Sequence, residues 1–178
     1  MSRYVKMNKI ADQTKIEGLR PMKQNDVPQV HALLNNYLTD YKLNIQFTKQ
    51  EISHFFIPRD NVIESFVVED EKSNQITDFI SFYSLPSSIL RHETHKILNV
   101  AYSYYFVPGT HSMTDLMADA LVLAKNKNYD VFNALDVHQN QEFFKELKFM
   151  IGDGNLNYYL YNWRIQKIEP KDVGIVLV

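Results

Sequence analysis

The chain has 178 residues, 45% of them hydrophobic and 13% aromatic, with a formal net charge of −2. This is enough apolar material to bury one domain core, and it excludes a disordered or collagen-like chain. With no cysteine, disulfide frameworks and thiolate chemistry are excluded.

No basic stripe is present, so no nucleic-acid partner is expected. No apolar run could span a bilayer, and the first residues lack the apolar stretch of a secretory signal. A cytoplasmic protein without a transmembrane segment is therefore expected. Residues 1–17 have weak periodicity and read as an N-terminal arm or linker, ahead of a single domain over 18–178. Leu19–Met22 is a short strand candidate. Asp26 can cap the next helix, with Pro28 in its first turn and Val30, Leu33, Leu34 and Tyr37 on one face. Thr48 and Glu51 have capping-box spacing and open a second helix that Pro58 ends. Strands follow at Ile63–Glu69, Ile76–Tyr83 and Lys96–Val107, the first two joined by a short charged hairpin loop. Ser112 and Asp115 open a helix reaching about Asn128. Then come a strand over Asp130–Leu135, a short helix capped by Asn140, a Tyr-rich strand over Leu156–Trp163 and a last strand over Val173–Val178.

The predicted order is β-α-α-β-β-β-α-β-α-β-β, an α+β arrangement on a mixed sheet. That is the order of the acetyltransferase (GNAT)-like fold, and order speaks for fold rather than activity. Enzymes of that fold cradle the CoA pyrophosphate in a glycine-rich loop at the start of the central helix, where backbone N–H groups face the anion. The corresponding stretch, Pro108–Ser112, has one glycine and no Arg or Lys, a poor phosphate cradle.

Gly152–Asp153–Gly154 on its own is an ordinary helix-to-strand turn. Its setting, Lys148 to Gly154, resembles the N-myristoyltransferase signature Lys-Phe-Gly-any-Gly-Asp-Gly, with Met150 where the family has glycine. Further segments resemble the same family in the same order: Gly18–Met22, Thr77–Ile89, Ala101–Tyr105, Leu116–Lys125, Asp130–Asp136 and Val173–Val178. The resemblance implies that 18–178 is the C-terminal, peptide-binding domain of an enzyme that moves myristate from myristoyl-CoA to the N-terminal glycine of proteins. It implies no cofactor bound by this half, with myristoyl-CoA as co-substrate of the complete enzyme. The implied partners are the N-terminal half of the same enzyme and a peptide with an N-terminal glycine. The separated half is expected to be inactive and to self-associate through the strand edge and apolar face so uncovered.

By the same resemblance Ser87, Tyr102, Asn133, Asp153, Gly154 and Leu156 form the peptide side of the site, and the terminal carboxylate of Val178 is the catalytic base. The apolar final run, Ile175 to Leu177, fits a buried terminal strand better than a frayed tail. Read without the resemblance, Ser87 belongs to a Ser-rich turn after Pro86 and Asn133 is a core asparagine bonded to backbone. His92 and His95, three apart, do not have zinc-protease spacing, and no metal is expected. Glu51, Glu64 and Glu69 read as a helix cap and polar strand residues rather than bases. Two other readings stay open: a stand-alone acetyltransferase that binds acetyl-CoA, and a non-catalytic binding module. Titration with acyl-CoA discriminates: tight binding by this chain alone would favour the stand-alone acetyltransferase.

Overall fold

The computed structural model describes residues 8–90 and 93–177. Its centre is a five-stranded sheet built from β1 (Leu19–Pro21), β3 (Ile63–Asp70), β4 (Gln75–Ser84), β7 (Val100–Val107) and β8 (Val131–Asn133), in the order β1-β3-β4-β7-β8. The first four strands are antiparallel neighbours, and β7 and β8 run parallel. Two small pairs lie outside this sheet. β5 (Ser87–Ser88) forms a hairpin with β6 (Ile97–Leu98), and β2 (Leu43–Asn44) pairs in parallel with β9 (Val173–Gly174).

Helices cover both faces of the sheet. Val67 and Phe79 point into a cluster with Val30, Leu34 and Leu38 of α1 (Val27–Leu38) and Ile52 and Phe56 of α2 (Lys49–Phe56). Phe66, Val68, Ile80 and Phe82 point the other way, against Leu116, Met117 and Ala120 of α3 (Met113–Asn126) and Phe143 of α4 (Gln141–Phe144). A sheet buried on both faces explains why β3 and β4 read as near-continuous apolar runs. Residues ahead of β1 pack on α3: the buried Asp119 carboxylate accepts the Lys15 and Ile16 N–H groups.

Helix starts follow their predicted chemistry in part. The Thr48 hydroxyl accepts the Glu51 N–H at 3.2 Å while Glu51 accepts the Thr48 N–H at 2.7 Å, a complete capping box. Ser112 caps α3 through the Asp115 N–H. Asp26 does not cap α1 with its side chain. Its carboxylate turns back to the Lys23 N–H and the Arg20 guanidinium, and that guanidinium holds its pKa below the usual carboxylate range. Asn140 spends its amide on the Leu135 carbonyl rather than on α4.

The last two predicted strands depart from expectation. Leu156–Trp163 forms no strand. Its alternating aromatics have no neighbouring strand to pair with, and a lone strand leaves its backbone groups unpaired. Among the described residues of the terminal segment, strand is limited to Val173–Gly174, which pairs with β2 outside the main sheet. The segment predicted as one strand over Lys96–Val107 divides into β6 and β7.

One irregularity shapes the centre. Phe82 pairs with Ser103 and Ile80 with Phe106, so Tyr104 and Tyr105 together oppose Ser81. The Ser81 hydroxyl closes the gap: it accepts the Tyr105 N–H at 3.0 Å and donates to the Tyr105 carbonyl at 2.9 Å. Such a bulge breaks strand alternation and re-aims side chains. Both tyrosines consequently join the cluster under α1 and α2.

Candidate functional site

The parallel strands β7 and β8 stay paired for three rungs, Val100 to Val131, Ala101 to Phe132 and Tyr102 to Asn133. Beyond Tyr102, β7 runs on to Val107 while β8 has ended, so Tyr102 and Asn133 form the last rung of this pairing. The Tyr102 ring stacks on Tyr83 with centroids 5.3 Å apart and planes 15° apart, and Tyr83 meets Tyr104 edge-on at 5.8 Å. Burial pushes the Tyr83 phenol above its ordinary pKa, so it stays a neutral donor. Ser87 lies just past Ser84, whose register partner is Ala101, and it is exposed in the β5–β6 hairpin. Tyr102 and Asn133 are register partners, whereas Ser87 pairs with Leu98 in the hairpin beyond the Val100 end of β7.

Asp153, Gly154 and Leu156 lie in an irregular, exposed segment. The chain leaves α4 through Lys148 in the left-handed region (φ 59°), and the Phe149 N–H bonds the Phe144 carbonyl at 2.8 Å. This six-to-one closure is a standard helix stop. Phe149 packs on Phe132, Phe143 and Phe144, and then the chain leaves the core. Met150 is 93% exposed and Ile151 fully so. Met150 is not in the left-handed region, so a side chain fits where the signature has glycine. Gly152 and Gly154 have no atom within 4 Å of where a Cβ would stand. Tyr159, Tyr161 and Trp163 are also exposed, and of this Tyr-rich run Tyr158 packs against the core.

The loop Pro108–Ser112 is filled from inside the protein. Asp78 on β4 is fully buried, and its carboxylate accepts the consecutive N–H groups of Gly109, Thr110 and His111, each at 2.9 Å. The Thr110 and Thr77 hydroxyls add bonds of 2.6 and 2.7 Å, and the His111 ring lies 3.1 Å away. Burial alone would raise the Asp78 pKa, but the bonds from Thr110, Thr77 and His111 outweigh it and hold the group below the ordinary range. The N–H groups that would face a phosphate already face a carboxylate. A Cβ on Gly109 would overlap the Thr77 carbonyl, so glycine is required for this close approach.

A second network surrounds the chain after Gly174. The Val176 N–H donates to the Tyr105 hydroxyl at 3.1 Å, and the Tyr158 hydroxyl donates to the Ile175 carbonyl at 2.8 Å. The His138 main-chain N–H bonds the Val173 carbonyl at 3.3 Å, and the buried ring, whose Nε2 has no hydrogen-bond partner among the described residues, packs on Tyr41 and Tyr105. Burial drives the His138 pKa down to about 4 and pushes Tyr105 up to about 12, so both are neutral near pH 7. Val178 lies outside the described residues.

The acidic residues weighed as bases have structural partners. Glu51 closes the capping box, Glu64 pairs with Lys127 at 2.8 Å, and Glu69 pairs with Arg20. His92 lies outside the described residues, and among those residues no cluster of three or more His, Asp or Glu could hold a metal. No helix among them is long and apolar enough to cross a membrane. Sequence reasoning had singled out none of Asp78, Tyr105 and His138. One signal was present for Asp78: a lone acid in an apolar strand needs a buried partner.

A family model described as the C-terminal domain of myristoyl-CoA:protein N-myristoyltransferase matches residues 1–176. A Bos taurus protein named glycylpeptide N-tetradecanoyltransferase 2 is 47% identical over 177 residues, which is 99% of this chain and 35% of that protein. The chain thus spans about a third of the length of that relative. A Saccharomyces cerevisiae N-myristoyltransferase solved with bound myristoyl-CoA superposes with a TM-score of 0.90 at 35% identity, covering 98% of this chain and 48% of that one. A Trypanosoma brucei acetyltransferase reaches a TM-score of 0.59 at 15% identity over 80% of this chain and 98% of its own, a likeness of fold alone.

Proposed function

Because the chain belongs to the family of C-terminal domains of myristoyl-CoA:protein N-myristoyltransferases, we propose that it is the peptide-binding part of a longer cytoplasmic acyltransferase. The complete enzyme joins myristate from myristoyl-CoA to the α-amine of an N-terminal glycine. The peptide runs along the rim formed by Ser87, Tyr102 and Asn133, and the Asp153–Gly154–Leu156 segment closes over it. The acyl donor and the groups that polarise its carbonyl belong to the preceding region, and the exposed apolar side chains from Met150 to Trp163 meet that region. Separated from it, the same side chains drive self-association. The reading rests above all on the Asp78 carboxylate, which occupies the N–H groups where enzymes of this fold bind pyrophosphate. The stand-alone acetyltransferase reading requires that loop to be open.

The chemistry needs a base. An N-terminal amine has a pKa of about 8 and is mostly ammonium at neutral pH, without a lone pair for attack. Where Val178 ends the complete enzyme, its carboxylate takes that proton. The amine then attacks the thioester carbonyl, the C–N bond forms, the C–S bond breaks, and the thiol of CoA leaves. Two measurements test the proposal. The complete enzyme should myristoylate a peptide that starts with glycine and lose that activity when residues are added after Val178. This chain alone should show no tight binding to acyl-CoA. Tight binding by the chain alone would favour the stand-alone acetyltransferase.

A further inference from the structure

The segment Val173–Leu177 has little strand structure of its own to hold it. Its ladder with β2 has two rungs, Leu43 to Val173 and Asn44 to Gly174. Past Gly174, side chains satisfy the backbone. The Ile175 carbonyl accepts the Tyr158 hydroxyl and the Val176 N–H donates to the Tyr105 hydroxyl, while the Val173 carbonyl accepts the His138 main-chain N–H.

We propose that Tyr105 and Tyr158, together with the His138 main chain, are positioning residues that clamp Val173–Leu177 and thereby, where Val178 ends the complete enzyme, set its carboxylate against the substrate amine. This rests on the reading of Val178 as the base. The clamp grips main-chain atoms, and the buried Val176 side chain anchors the same segment in the core under α1 and α2. Each member is itself held in place. The bulge opposite Ser81 aims Tyr105, which is 1% exposed, into the core. His138 is buried against Tyr41 and Tyr105. From below, Gly174 lies so close to the Tyr41 side chain that a Cβ would stand 2.8 Å from it. Tyr105 and Tyr102 belong to the same strand, so one element carries both a rim residue and a jaw of the clamp.

A one-ångström misplacement of a reacting group can cost on the order of a hundredfold in rate, so such a clamp acts on turnover more than on binding. The experiment uses Tyr105→Phe and Tyr158→Phe in the complete enzyme, which remove a hydroxyl and keep the ring. Each should lower kcat about tenfold and leave KM for acyl-CoA and peptide within about twofold, and Tyr105→Phe should also speed hydrogen exchange at the Val176 amide. Tyr158 is only part-buried, so its variant folds even if the Tyr105 variant does not. Normal kcat in a folded Tyr158→Phe enzyme overturns the proposal, whether or not amide exchange changes. A version extended beyond Val178 separates the two ideas. If the extended enzyme turns over normally, the base reading falls; if extension abolishes turnover while both Phe variants work normally, the clamp alone falls.

Discussion

The loop before α3 and the segment after α4 both place glycine beside backbone that could meet a ligand, and they end in opposite conditions. At Pro108–Ser112 three consecutive N–H groups are met internally: Asp78 fills the loop, and Gly109 lies against the Thr77 carbonyl. At Met150–Trp163 almost nothing is met internally, since Gly152 and Gly154 face open space and the large side chains lie in solvent. A glycine-containing turn therefore says little about binding until the partners of its N–H groups are known. In one chain the first turn is a closed structural joint and the second an open surface.

The largest effect that would sharpen this contrast is at Asp78. Asp78→Ala leaves three consecutive N–H groups and two hydroxyls without their acceptor. Each unsatisfied buried group costs roughly 1–3 kcal/mol, so we expect about 4 kcal/mol of lost stability in urea unfolding. A loss below about 1 kcal/mol would mean that water reaches the loop freely and that it is not closed.

Next comes the acid response of the clamp. His138 has a folded pKa of about 4, depressed by burial from an ordinary value of 6.5. The unfolded chain therefore binds the proton first as pH falls. Stability from this group is complete above about pH 6.5 and is lost progressively down to about pH 4, by about 3 kcal/mol in all. Unfolding free energies measured between pH 7 and 4 should fall by that order. The fall should shrink in His138→Asn, chosen because asparagine tolerates the left-handed backbone at this position. An unchanged slope would show that His138 is not the group taking the proton.

A smaller effect is expected on the open segment. Trp163→Ser and Tyr161→Ser remove side chains that lie in solvent, so stability should stay within about 0.5 kcal/mol. Light scattering at high concentration should nevertheless show less self-association of the isolated chain. Equal association before and after would remove this surface from the contact.

These contrasts also mark what could be read from the sequence. Elements with local instructions were legible: Thr48 with Glu51 and Ser112 with Asp115 start helices where their spacing says, and the apolar runs of β3 and β4 form the centre of the sheet. The Leu156–Trp163 strand was misread because alternation records a surface meant for something and cannot say whether that partner lies within the chain. Asp78 escaped notice because its partners lie some thirty residues onward, in a loop whose composition already looked complete. Tyr105 was hidden by the bulge, which breaks the alternation that would assign its face. The rim residues Ser87, Tyr102 and Asn133 came from resemblance, and no local pattern brings Tyr102 opposite Asn133.

The sharpest comparison sets one glycine against another. At Gly109 an added methyl meets the Thr77 carbonyl, and the backbone cannot retreat without breaking its bonds to Asp78. Gly109→Ala should therefore cost about 1–3 kcal/mol through overpacking. At Gly154 the same methyl meets nothing within 4 Å, and the backbone there is not in the left-handed region. Gly154→Ala should be neutral, or stabilising by up to about 1 kcal/mol because the unfolded chain loses freedom. Its effect should appear only when the groove is occupied. If the 153–156 segment closes over the peptide, the methyl stands where substrate backbone must approach. The complete enzyme should then show a several-fold higher KM for peptide with an unchanged KM for acyl-CoA. An unchanged peptide KM would make this turn as inert as its exposure alone suggests, and Gly154 would leave the list of groove residues.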